Sequence, residues 1–150
     1  MKLRRFMCVV LLAVLIIGIL PVSAVADEVE TIYLSDGSYI VVRLYEHGTR
    51  ASGTVSGGKE YTHYDSSGAS NWKVVLSGTF NYTGSGSTCT ASSVNVTIYD
   101  SSWYTISKSA SKSGNKATGS VIMGEKLTSG TVTRVPVSLT LTCDANGNLS

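Results

Sequence analysis

The chain has 150 residues, 12 of them basic and 10 acidic, enough for one hydrophobic core and too few for two. Lys2, Arg4 and Arg5 belong to a short basic head ahead of an apolar run, and without them nine basic residues face ten acidic ones. That near-neutral remainder excludes a surface built on excess positive charge for nucleic acid or anionic lipid.

Residues 1–26 read as a secretory signal peptide. Phe6 to Leu20 is unbroken apolar sequence, shorter than the roughly 18 residues a membrane-spanning helix needs. Pro21-Val22-Ser23-Ala24-Val25-Ala26 then supplies small residues for cleavage after Ala26. The spacing after the arginine pair favours general secretion, and Cys8 lies at the start of the apolar run and not after it, so it is no lipoprotein cysteine. The expectation is a freely secreted extracellular protein with no stable membrane anchor, its single domain spanning 27–150.

That domain carries 22 Ser, 16 Thr and 14 Gly with a single Pro, a composition that disfavours helices and suits strands and turns. Glu28 to Leu34 and Tyr39 to Glu46 form an N-terminal hairpin over 27–48. A two-residue Asp36-Gly37 turn of type I′ would pair Glu30 with Arg43. It would put Val29, Thr31, Tyr33, Ile40, Val42 and Leu44 on one face, and Ile32, Leu34, Tyr39 and Val41 on the other. His47 to Ser56 reads as a linker, after which Gly57-Gly58 opens a strand at Lys59 to Tyr64, closed by the turn Asp65-Ser66-Ser67-Gly68.

The longest alternation follows. Trp72, Val74, Leu76, Gly78, Phe80 and Tyr82 share one face, which marks this strand as the hub of the core. Beyond a turn at 84–87, Val94, Val96 and Ile98 point one way and Cys89 the other, so burying Cys89 with them requires a bulge between 90 and 93. Trp103 to Ala110 and Ala117 to Met123 flank a Ser113-Gly114-Asn115 turn. The last strand, Val132 to Cys143, turns Val135, Val137, Leu139, Leu141 and Cys143 inward, with Pro136 on the polar side marking an edge or a bulge. About eight strands at this spacing predict an antiparallel two-sheet β-sandwich of immunoglobulin-like type, with a small β-barrel as the alternative.

Cys89 and Cys143 form an even pair in a chain bound for an oxidising compartment, which predicts a disulfide. Closing its 54-residue loop is worth about 4 kcal/mol in the chain-entropy picture. Catalytic signals are weak. His63-Tyr64-Asp65 beside Ser66-Ser67 has the residue types of a nucleophile, base and acid, but strand alternation and the abundance of serine explain it better. Asp36, Asp65, Asp100 and Asp144 stand where turns need Asx side chains. No His and Cys spacing suits zinc, and Asp144-Ala145-Asn146-Gly147-Asn148 reads as an Asx-rich turn ahead of a calcium loop. No catalytic residue, cofactor or metal is assigned. The aromatics are the better lead: Tyr39, Tyr45, Tyr61, Tyr64, Trp103 and Tyr104 exceed what one sandwich interior holds and mark a binding surface.

Asn71-Trp72-Lys73-Val74-Val75-Leu76-Ser77-Gly78-Thr79-Phe80, Ser87-Thr88-Cys89-Thr90, Ser109 to Gly119 and Leu139 to Ser150 carry a resemblance. Together with Thr49 to Thr54, these stretches resemble a group of uncharacterised small secreted proteins of Gram-positive bacteria. The resemblance covers about residues 49–150 and both cysteines, and it implies a shared disulfide-tied β-domain without implying an activity or a site. Three functions are therefore expected in descending order: a non-catalytic domain that binds an extracellular protein or a glycan, a secreted toxin acting through the apolar Tyr33 to Leu44 hairpin, and an extracellular hydrolase.

Overall fold

Alternation of apolar and polar residues builds eight antiparallel strands, and the glycines set most of the turns between them. The structure is a computed structural model that describes residues 28–47 and 53–150. The strands are β1 (Glu28–Tyr33), β2 (Tyr39–Glu46), β3 (Thr54–Tyr64), β4 (Ser70–Tyr82), β5 (Ser87–Ile98), β6 (Trp103–Ser113), β7 (Lys116–Lys126) and β8 (Val132–Thr142). The proposed signal segment and its cleavage point lie outside the described residues. No helix among the described residues is long and apolar enough to cross a membrane.

Two sheets form, ordered β1-β2-β3-β4-β5 and β6-β7-β8, packed as an open sandwich and not closed into a barrel. Within each sheet the strands pair in chain order, so both sheets are plain meanders and lack the Greek-key crossover of immunoglobulin domains. The hub strand behaves as its pattern requires: Trp72, Val74, Leu76 and Phe80 are fully buried. Across the interior they meet Val121, Met123, Leu139 and Leu141, which are equally sealed. Pro136 points outward on β8, an edge strand with only β7 beside it, where a missing N–H costs no ladder bond.

Cys89 is turned inward by the expected bulge. Phe80 pairs with Cys89 while Thr79 pairs with Ala91, so Thr90 is the extra residue, and its hydroxyl donates to the Thr79 carbonyl over 3.1 Å. The expected disulfide is absent, and Cys89 and Cys143 are separate buried thiols. The β6–β7 turn comes between them, its Gly114 and Asn115 carbonyls accepting the backbone N–H groups of Cys89 and Cys143 at 2.7 and 3.1 Å. The Cys89 Sγ lies 3.3 Å from the Ala91 carbonyl and the Cys143 Sγ 3.4 Å from that of Asp144, so each thiol donates within its own strand end.

Two further expectations are corrected. β3 begins at Thr54, five residues before the predicted start, because Gly57 and Gly58 stand inside the strand and make room for other groups. A Cβ on Gly57 would come within 2.3 Å of Leu149, and one on Gly58 within 2.9 Å of the Tyr45 ring. The hairpin register also differs by one residue. The Leu34 N–H donates to the Ser38 carbonyl and the Gly37 N–H to that of Leu34, giving a three-residue turn with Gly37 at φ 85°. Glu30 therefore pairs with Val42 and Tyr33 with Tyr39, which moves Tyr33 onto the face of Tyr39. The hairpin itself is an integral part of the larger sheet, β2 pairing along its length with β3.

The two ends of the sandwich differ. At one, the C-terminal segment folds back: Thr142 and Ser150 exchange backbone hydrogen bonds of 2.8 and 2.9 Å, and Leu149 packs on the core. The opposite end, where the β1–β2 and β3–β4 turns stand over β7 and β8, stays open.

Candidate functional site

The open end carries two chemically distinct surfaces, one on each face of the larger sheet. On the outer face, cross-strand pairing lines up Tyr33, Tyr39 and Tyr64. Tyr39 and Tyr64 stack with centroids 5.0 Å apart and planes within 11°, and Tyr33 flanks them at 5.9 Å, tilted by 44°. Stacking orders two of the rings before anything binds, which limits the entropy lost on contact. Tyr33 is 77% exposed.

The six aromatics read as one patch from the sequence are spread over several surfaces. Only Tyr39 and Tyr64 belong to the row. Tyr45 lies at the far end of the same face, over Gly58 and edge-on to His47 at 4.9 Å. Tyr61 is on the inner face against the core, where burial and the nearby Glu30 charge raise its phenol pKa. Tyr104 covers Gly124 on the outside of the small sheet, and Trp103 is buried. The face of Tyr33 depends on the turn register, which one residue of turn length decides.

On the inner side, His63 sits among aromatics. Its ring stacks on Trp72 at 5.0 Å and 6° and meets Trp103 at 5.3 Å and 52°. Asn71 Nδ2 lies 3.2 Å from His63 Nδ1; with the amide as donor, Nδ1 accepts and the ring proton sits on Nε2. Burial lowers the imidazole pKa, opposed by the charges of Asp36 and Asp65. The Asn71 carbonyl in turn accepts the N–H groups of Tyr99 and Asp100 at 2.9 and 3.1 Å, tying this layer to the crossing between the sheets. The indole N–H of Trp72 is the one sealed side-chain polar atom without a partner among the described residues.

A cleft of about 210 Å³ opens above His63 and Trp103. The two turns supply Asp36 and Asp65, and β7 supplies Glu125. Both turn carboxylates are pre-set by their own loops. Asp36 Oδ1 accepts from the Ser38 hydroxyl and N–H at 2.6 and 3.0 Å. Asp65 Oδ1 accepts from the Ser67 hydroxyl, the Ser67 N–H and the Ala69 N–H at 2.6, 2.8 and 2.9 Å. Hydrogen bonds from the neighbouring serines lower both pKa values, so both groups are anionic at neutral pH. No lysine or arginine among the described residues lines the cleft. Asp144 forms the same kind of turn at the closed end, Oδ1 accepting the Asn146 and Asn148 N–H groups at 2.8 Å, as the Asx reading requires. No family model matches this chain, and no curated protein and no solved structure matches it.

Proposed function

We propose that the chain is a secreted, non-catalytic recognition domain that binds a glycan through the outer face of its five-stranded sheet. The ordered Tyr33–Tyr39–Tyr64 row carries this reading. It sets three amphipathic rings side by side on a solvent-facing sheet whose opposite face builds the core, and tyrosine offers both a flat apolar face and a hydroxyl to a sugar. The test is a glycan array probed with the purified chain and with its Tyr39→Ala and Tyr64→Ala variants. Retention of a defined glycan, weakened at least tenfold by each substitution, supports the reading; a tenfold loss corresponds to about 1.4 kcal/mol. Binding that survives both substitutions, or a silent array, refutes it.

A second reading has its own observation. Val29, Ile32, Tyr33 and Leu34 are 56, 37, 77 and 37% exposed, and β1 is the edge of its sheet. An apolar edge strand suits insertion or pairing by a toxin. Liposome leakage or inhibition of neighbouring cells by the purified chain favours this reading, and inertness in both assays removes it.

A further inference from the structure

We infer that the cleft above His63 and Trp103 is a second binding site, shaped for a single hydroxyl-rich ring such as a monosaccharide or the terminal residue of a glycan. Three carboxylates alone would suit any cation. The floor of the cleft argues for something else. His63 and Trp103 are 5 and 6% exposed, and both line the cleft. No hydrogen bond joins His63 Nε2 or Trp103 Nε1 to another group among the described residues, and neither is a sealed atom. Two buried rings, each with an N–H donor to satisfy, therefore line the same space as the carboxylates of Asp36, Asp65 and Glu125.

A ligand filling that space must accept from the floor and donate to the rim. An ammonium or guanidinium group only donates, and it would leave both floor N–H groups unpaired. A phosphate or carboxylate only accepts and would meet the rim charges. A ring bearing several hydroxyls does both, with paired hydroxyls on a carboxylate and its apolar face on an aromatic wall. Size points the same way: about 210 Å³ is below the roughly 300 Å³ at which drug-sized pockets begin, the scale of a single ring. The parts are held before binding, since Asn71 fixes the His63 ring and the serine hydrogen bonds fix both aspartates. For its ligand class this site rests on the glycan reading above, but its position, on the inner side of the sheet away from the tyrosine row, makes the two separable.

The test is an NMR titration of the full chain with free glucose, galactose, mannose and N-acetylglucosamine, each taken to about 50 mM to reach weak single-ring affinities. The readouts are the His63 ring and Trp103 indole N–H resonances. L-Arginine serves as the cationic arm. The expected result is saturable movement of both resonances with at least one sugar, weakened tenfold or more by Trp103→Phe, which keeps a ring and loses the donor, and by Glu125→Gln at the half-buried rim. Tyr39→Ala leaves this binding unchanged. An unaltered amide spectrum elsewhere certifies that each variant is folded. Movement with arginine and with no sugar overturns the proposal, as does silence with all of them. Sugar binding that is lost in Tyr39→Ala but retained in Trp103→Phe and Glu125→Gln overturns the cleft site while leaving the tyrosine row standing.

Discussion

Leu76 and Gly119 face each other across the sandwich, and a double-mutant cycle between them reads the packing directly. Leu76 is fully buried, so Leu76→Ala costs about 2–5 kcal/mol from lost transfer energy and the cavity left behind. A Cβ on Gly119 would lie 3.3 Å from Leu76 Cδ1 and 3.4 Å from Val94 Cγ2, tight enough to push both by a few tenths of an ångström. Gly119→Ala alone therefore sets a modest overpacking cost of about 1 kcal/mol against the roughly 0.5–1 kcal/mol gained by replacing glycine in a strand, and changes stability little. With Leu76 shortened, the same methyl shifts into the vacated space, which relieves the crowding by Leu76 and lets it ease away from Val94, and recovers about 0.8 kcal/mol of burial. The double variant should thus be about 1.5–2 kcal/mol more stable than additivity of the two singles requires. Equilibrium urea unfolding followed by tryptophan fluorescence measures all four corners. Additivity within about 0.5 kcal/mol would show that β4 and β7 do not meet at these residues and would refute the packing of the two sheets.

Three other outcomes follow from single residues. Gly68 holds φ +88° in the β3–β4 turn, so Gly68→Ala costs about 1–2 kcal/mol in a urea melt, and a neutral result would contradict the turn geometry. His63 has its pKa lowered by burial from 6.5; the unfolded chain therefore takes up the proton first, and stability is full above that value and is lost as pH falls through the folded one. Melting temperature should decline as pH falls below about 6.5 in the wild type and stay flatter in His63→Phe, whereas equal profiles would place His63 in solvent. Cys89 and Cys143 are buried and unbridged, and burial raises the Cys89 pKa, so alkylation should be slow in the native state and label both sites once unfolded without reductant. Mass spectrometry that finds neither site labelled would restore the bridge.

The strands and the core were legible because a half-buried strand writes its burial as period two. Trp72 to Phe80 and Val135 to Cys143 needed nothing beyond that rule, and the parity mismatch at Cys89 called for a bulge between 90 and 93, which Thr90 supplies. Failures came where local sequence is read by distant groups. Gly57 and Gly58 looked like a strand boundary, yet Leu149 and Tyr45 occupy the space their missing side chains leave. Asp36-Gly37 looked like a two-residue turn, yet the Asp36 carboxylate captures Ser38 and lengthens it, and that one residue carries Tyr33 onto the face of Tyr39. The cleft was the least legible feature. Asp36, Asp65 and Glu125 are far apart in the chain and line one cleft only because two sheets open at one end, and the sequence neighbours of His63 make no catalytic set. The signal that could have found it is its parity: pairing β3 with β4 lays His63 on the inward face beside Trp72.

The central claim is that recognition belongs to the open end of the sandwich and to the tyrosine row there. It is tested most directly by amide chemical-shift mapping of the isotope-labelled chain with the glycan best retained on an array. The account predicts perturbations concentrated at Tyr33 to Tyr39 and Tyr61 to Gly68, with the Asp144 to Ser150 end silent. Perturbations centred on that closed end, or around Tyr104 on the small sheet with none at Tyr39 and Tyr64, would contradict it.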